Sequence, residues 1–470
     1  MKKIISLILV SALLSILCLG MLASCGGRAP AADFVMPEGG FDTETPVEIT
    51  FYHSMGKTLR DVLDASIADF NELYPNITVK HESYGDYDGV LSQIKTELTV
   101  GDHPNLAYCY ADHVAVYNIS GATQKLDILM YDETYGYSEE QLADFIEGAL
   151  DEGKKFGDDS TYLIPLAKST EVLYYNKTFF EANNLTVPTT WEEMEEVCRQ
   201  IKAIEGDKCI PLGYDSEANW FITLCEQYGS PYTAAELENP FAFDNDTNQA
   251  FVKIFNKWYQ DKLVTTQELH GAYTSALFTG EDETGTRCYM CIGSTGGATY
   301  QQPNQTNGKY DFEVGIAPIP QKDAANPKVI SQGPNLCLFK DNDPQKVLAT
   351  WLFARHLSTD IVFQAAVSMA NGYAPVIKSV QENEIYADFI ASAEVNGTEN
   401  IQAYACKVAL EQTGAMFVSD AFYGSSVARA QVGLLMQKCL AFTQTGADLE
   451  AAIKKAFEDA VDECKYQTRR

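Results

Sequence analysis

The chain has 470 residues with 65 acidic against 34 basic side chains, a formal charge of -31 at pH 7. A surface that acidic repels nucleic acid and anionic membrane, so neither is a promising partner. The length allows two domains, and 46% apolar residues are enough to fill their cores. Of the aromatic residues 26 are Tyr, whose apolar face and polar tip suit polyhydroxylated ligands.

The chain opens with Met1-Lys2-Lys3, an apolar run to Leu19, and then Leu22-Ala23-Ser24-Cys25. A positive start, an apolar middle and small residues before a cleavage point are the parts of a secretory signal. The Leu-Ala-Ser-Cys ending resembles the bacterial lipoprotein signal. That resemblance implies a signal peptide over 1–24 and an acylated Cys25, anchored by at least two chains. An uncleaved membrane helix is the alternative, but no stop-transfer charge follows Cys25-Gly26-Gly27. Gly26 to Pro46 is rich in Gly, Pro, Ala and acids, and reads as a flexible tether over 25–46. Beyond Val47 no apolar run approaches the length of a bilayer crossing.

From Val47 strands and helices alternate. Val47 to Tyr52 alternates as a strand, and Thr58 to Tyr74 sets Leu59, Val62, Leu63, Ile67 and Phe70 on one helical face until Pro75. Ile77 to Lys80 begins a second strand, Val90 to Leu98 a helix, and Leu106 to Tyr110 a third strand. Ser138 to Gln141 and Thr190 to Glu193 fit capping boxes, and Asp343-Pro344 opens a further helix. The alternation predicts an α/β fold with parallel strands, and no repeat of solenoid or propeller period is present.

Signals for chemistry are weak. Cys288-Tyr-Met-Cys291 has redox or zinc spacing, but it stands in a strand-like stretch with no second pair, and odd spacing sends the two thiols to opposite faces. The other cysteines are scattered, several on apolar positions that read as small buried residues. The His residues are isolated, so neither a zinc site nor a Ser-His-Asp arrangement stands out. Ser294-Thr295-Gly296-Gly297 lacks the P-loop pattern and reads alone as a turn. No metal, cofactor or catalytic residue is therefore expected.

Several motifs in order carry a family resemblance. Ile49 to Met55 followed by Gly85-Asp86-Tyr87, Leu173 to Lys177 with Pro188 to Trp191, Met290 to Gly297 with Val314 to Pro318, and Asn371 to Pro375 resemble the extracytoplasmic solute-binding proteins of ABC importers. The likeness is strongest to the sugar and glycerol-3-phosphate binders. It implies a two-lobed periplasmic-binding-protein-like fold of type II, closing by a hinge on ligand held in the cleft. On the matched motifs the lobes comprise 47–168 plus 317–372 and 169–316 plus 373–466.

The same resemblance implies ligand-binding roles for Tyr87, Asp112, Ser169, Trp220, Ser294, Thr295, Gly333 and Tyr373. Tyr87 also fits a surface Tyr on a turn, Trp220 equally fits a buried core Trp, and the matching acid in relatives falls nearer Ala111 than Asp112. Lys168 and Glu171 are charged where small or apolar residues are usual, and could pair or line the cleft. The glycerol-3-phosphate binders place an Arg where this chain has Phe422-Tyr423, which would add a stacking surface for a neutral sugar, while Arg429 falls further on. The family also implies a disulfide between Cys209 and Cys288, with reduced thiols as the alternative. The resulting expectation is a monomeric, lipid-anchored carbohydrate receptor outside the membrane of a Gram-positive bacterium. Its partners are a sugar and an ABC permease with its ATPase. A phosphodiester ligand, an exported carbohydrate-active enzyme and a sensor-kinase partner are the alternatives.

Overall fold

A computed structural model describes residues 31–469 apart from 147, 159 and 396. The expected signal peptide 1–24, the lipid site Cys25 and the first residues of the tether lie outside the described residues.

Two sheets organise the chain. The first runs in the order Ile77–Ser83, Val47–His53, Leu106–Cys109, Asn335–Leu338, Leu163–Pro165. Its first pair is parallel, with Val47 opposite Ile77 and His53 opposite Ser83. The second runs Met416–Phe417, Val329–Gln332, Ser169–Asn176, Met290–Ser294, Leu212–Tyr214, Val264–Thr266, and Val314–Pro318 also pairs with Ser169–Asn176. Each sheet has its own core, one around Phe51, Phe70 and Trp351, the other around Trp220, Phe251 and Phe255. This is the two-lobed α/β fold.

Local chemistry builds the elements as the residues suggest. Val47–His53 buries alternate side chains. The helix Lys57–Leu73 turns Leu59, Leu63 and Phe70 inward at helical spacing. Both capping boxes form, Ser138 with Gln141 and Thr190 with Glu193. Asp343 caps the helix Pro344–Thr359, with Pro in its first turn.

Three expectations on organisation are corrected. The flexible tether does not extend to Pro46, because 33–46 is docked on the first lobe. Phe34 and Phe41 are buried in that lobe's core, and Lys340 pairs with Asp33 at 2.7 Å. The Phe41 N–H donates to the Tyr135 hydroxyl and the Asp42 N–H to Gln345 Oε1, both at 2.9 Å. Burying each Phe is worth about 1.5–3 kcal/mol, and together with these hydrogen bonds it helps offset the entropy lost in ordering the segment. The return to the first lobe falls not at 317 but at Gly333-Pro334, since Val314–Pro318 and Val329–Gln332 both pair with Ser169–Asn176. The last crossing likewise comes later than Tyr373. Val376, Ile377, Val380 and Tyr386 pack in the first lobe's core, whereas Ile401, Ala405 and Val408 pack with Val172 and Tyr174 of the second.

The proposed Cys209–Cys288 bond is not formed. Both thiols are buried and free, and the backbone sets Cys209 opposite Arg287 rather than Cys288.

A buried imidazole, His53, pairs with the half-buried His81 at the first sheet's carboxyl end. The Met55 N–H donates to His53 Nδ1 at 3.1 Å, so His53 Nε2 carries the proton and donates to His81 Nδ1 at 2.9 Å. His81 Nε2 in turn donates to Asp64 at 2.9 Å. Burial, then the neighbouring His81 and Arg60, push the His53 pKa down to about 3.

Two predictions follow from this packing. Phe41→Ala should cost about 3 kcal/mol in a denaturant melt, as truncation of a buried aromatic ring. The stability advantage of wild type over His53→Gln should shrink by about 2 kcal/mol between pH 7.5 and pH 5, because the unfolded imidazole takes up a proton below about pH 6.5 and the folded one does not. Thermal melts of both proteins across that range check it, and a constant difference would contradict it.

Candidate functional site

Strand ends and crossover segments meet at the boundary between the lobes. Asp86 caps the helix Tyr87–Leu98 by accepting from the Gly89 N–H at 2.7 Å, which fixes Tyr87 in the first turn. The Tyr87 ring stacks on Tyr110 at 3.9 Å between centroids and 12°, and on Tyr108 at 5.1 Å. Tyr373 joins this group, and burial chiefly, then the neighbouring phenols, raise the pKa of Tyr87 and Tyr108. The Tyr87 hydroxyl is buried without a hydrogen-bond partner among the described residues.

Gly296 is what lets Tyr373 reach the second lobe. A Cβ at Gly296 would lie 2.7 Å from the Tyr373 ring, so a larger residue would push the tyrosine away. Ser294 accepts from the Gly296 N–H at 3.1 Å and holds this turn.

Beside the tyrosines, Asp112 stands in the first turn of the helix Ala111–Tyr117. Its Oδ1 is buried and without a hydrogen-bond partner among the described residues, and His113 Nε2 is 3.9 Å away. Burial pushes the His113 pKa down, so the imidazole gives Asp112 little charge at neutral pH.

The second lobe answers with a cation. Arg429, on the helix Ser425–Leu440, donates to Asn219 Oδ1 of the helix Glu217–Gln227. These helices approach closely because Gly433 faces Ala218, where an added Cβ would meet Ala218 Cβ at 3.4 Å. Asn219 and Gln332 exchange side-chain amide bonds of 2.7 and 3.1 Å. Next to them Glu171, only 2% exposed, accepts from the Tyr214 hydroxyl at 2.7 Å. Burial pushes the Glu171 pKa up to about 7, against the pull of Tyr214, Asn219 and Arg429.

Tyr110, Asp112, Glu152, Tyr232, Gln332 and Arg429 line one cavity of about 60 Å³ between the lobes. The loop 418–421 crosses over it, and the Ala421 N–H donates to the Lys155 carbonyl at 3.2 Å. The lobes are close together, and the space would hold about two waters and no sugar.

The residues expected from the sequence divide into groups. Tyr87, Asp112, Tyr373 and Ser294 come together at the lobe boundary. Thr295 is fully buried, its hydroxyl accepting from the Thr170 N–H at 3.4 Å. Ser169 is buried in the crossover strand opposite Gln332. Gly333 has φ +116° and its missing Cβ would sit 2.4 Å from the Ala167 carbonyl, so packing of the crossover requires it. Trp220 is corrected from a cleft floor to a core residue. It is 0% exposed and stacks on Tyr214 at 4.7 Å inside the second lobe. Phe422 is also corrected, since it packs against Phe241 and leaves Val418, Ser419 and Asp420 of its loop on the cavity. Tyr423 is half-buried beside it.

Sequence reasoning passed over Tyr108, Tyr110, Asn219, Gln332 and Arg429. The alternation Tyr108-x-Tyr110 was a usable signal, because alternate residues of extended chain share a face. Arg429 had none, because its role depends on which helix packs beside it.

Known proteins share this fold. The model of the bacterial extracellular solute-binding protein family matches residues 65–394, and the chain belongs to that family. It is 27% identical over 285 residues to the sn-glycerol-3-phosphate-binding periplasmic protein UgpB of Salmonella paratyphi A, a match covering 57% of this chain and 60% of that one. Among solved structures it resembles UgpB from Mycobacterium tuberculosis in complex with glycerophosphocholine, at 19% identity and TM-score 0.68, covering 89% of this chain and 99% of that one. It also resembles the sugar-binding protein MalE from Xanthomonas citri, at 16% identity and TM-score 0.69, covering 90% and 98%. Identities this low establish the fold.

Trp220→Ala should therefore destabilise the protein by about 4 kcal/mol, the cost of emptying a core aromatic site. Denaturant unfolding measures it. A loss under about 1 kcal/mol would mean that the ring is not in the core.

Proposed function

We propose that this protein is the extracytoplasmic solute receptor of an ABC importer, anchored by lipid on Cys25, which captures a carbohydrate between its lobes and hands it to a membrane permease. One observation carries the reading. Stacked tyrosines and two buried, unpartnered oxygens, Tyr87 hydroxyl and Asp112 Oδ1, lie together at the lobe boundary. Aromatic faces pack on sugar rings, and a carboxylate oxygen accepts from sugar hydroxyls. Capture needs no bond-making step. The lobes part to admit the solute, Tyr373 closes against the Gly296 turn, and closure is favoured only by the solute's extra affinity for the closed form.

Arg429 favours a second reading, a glycerophosphodiester. A guanidinium on the cavity wall can grip phosphate through two parallel hydrogen bonds. The relatives with glycerophosphate in their names support this class, while the acidic surface weighs against it.

A thermal-shift screen over maltose, maltotriose, sn-glycerol 3-phosphate and glycerophosphocholine separates the two, since a solute specific for the folded form raises Tm. Calorimetry on variants then assigns the contacts. For a carbohydrate, Tyr110→Ala should weaken binding at least about tenfold and Arg429→Gln little. For a phosphodiester, Arg429→Gln should cost about a hundredfold. No shift with any of the four would overturn both ligand classes.

A further inference from the structure

We propose that the solute this cavity selects is an amino sugar: its ammonium group is held by Asp112 and the Tyr232 hydroxyl beside the Tyr110 ring, and a neutral sugar of the same shape is captured more weakly. The inference deepens the carbohydrate reading of this cavity and rests on it.

The charges on the cavity wall do not balance. Asp112, Glu152 and Asp420 line it with one cation, Arg429. Glu152 is already answered by Lys168 and Asn335, so two carboxylates stand against one guanidinium. Among the described residues Arg429 bonds to the neutral Asn219 amide rather than to either acid. His113 does not answer Asp112 either. Its Nε2 lies 3.9 Å from Asp112 and 4.0 Å from Asp88, and burial keeps the imidazole neutral at pH 7. A second observation points to a ligand. Tyr232 is only 8% exposed, and its hydroxyl, like Asp112 Oδ1, is buried without a hydrogen-bond partner among the described residues. Buried polar atoms are normally paired, and these two belong to side chains lining one cavity.

Chemistry selects the group that completes this wall. An ammonium brings three donors and a positive charge. One N–H goes to the carboxylate and another to the phenol oxygen, and the charges then balance: two acids, a guanidinium and an ammonium. The Tyr110 ring, stacked on Tyr87 at 12°, adds an aromatic face of the kind that attracts cations. A sugar hydroxyl donates a hydrogen bond but brings no charge. Closure over a neutral sugar therefore takes Asp112 out of water uncompensated, at a cost in affinity. The chain's formal charge of -31 also draws a cation.

Calorimetry of the full chain at neutral pH with glucosamine, glucose and N-acetylglucosamine tests this. Glucosamine should bind at least about tenfold more tightly than either neutral sugar, and in Asp112→Asn that ratio should fall to about one. Equal affinities for the three sugars in wild type would overturn the proposal and leave the carbohydrate reading in place. A preference for glucosamine that persists in Asp112→Asn, folded by near-ultraviolet circular dichroism, would overturn the role of Asp112. If none of the three sugars binds, the proposal falls together with the carbohydrate reading. Glycerophosphocholine carries the same positive charge without N–H donors. Its binding in place of glucosamine would overturn the amino sugar as the source of that charge.

Discussion

The rest of the structure hangs on three chain segments lying side by side where the lobes join. The Leu166 N–H donates to the Pro334 carbonyl at 3.0 Å, and Lys168 and Ala374 exchange backbone bonds of 2.9 and 2.6 Å. Such close approach is possible because Gly333 has no side chain to strike Ala167. Lys168, at the centre, is buried and pairs with Glu152, while Asn335 accepts from its ammonium at 3.0 Å and donates to Glu152 at 3.2 Å. Taking those charges out of water is costly, and only the complete set of partners offsets it. The ribbon is therefore well specified in its centre, and relative motion of the lobes has to be absorbed at its ends.

From that ribbon the site follows. Ser169–Asn176 leaves the crossover with alternate side chains on opposite faces, so Glu171 joins Ser169 toward Asn219 while Lys168 turns toward Glu152. Val329–Gln332 runs antiparallel beside it and delivers Gln332 to the same face. The Gln332 amide that holds Asn219 is thus set by strand register, and Arg429 itself by the Gly433–Ala218 helix contact.

Much of this was legible in the residues, and the misses share a cause. The periodic helices, the capping boxes and the pairing of the first strands rest on neighbours within a few positions. They emerged as expected at Leu59 to Phe70, Ser138, Thr190 and Val47 to His53. Tyr87 and Tyr373 were visible because they sit in ordered motifs. Trp220, Phe422 and the tether failed because their fate depends on what lies opposite in three dimensions. Trp220 found Tyr214 and Phe255, Phe422 found Phe241, and Phe34 with Phe41 found the first lobe's core. Composition marked 25–46 as linker because Gly and Pro outvote two phenylalanines in any local count.

The docked segment also changes what an anchor at Cys25, as proposed, would do. A tether reaching Pro46 would let the receptor roam widely above the membrane. With Asp33 already bound to Lys340, about eight residues would separate such a lipid from the folded body, a reach of at most about 28 Å. Shortening the reach raises the effective concentration of the receptor at a membrane partner, provided the span can still be bridged. It also treats the lobes unequally. With such an anchor the first lobe would carry it through Phe34 and Phe41, and hinge motion would move mainly the second lobe, with Arg429, Asn219 and the Gly296 turn, relative to the membrane.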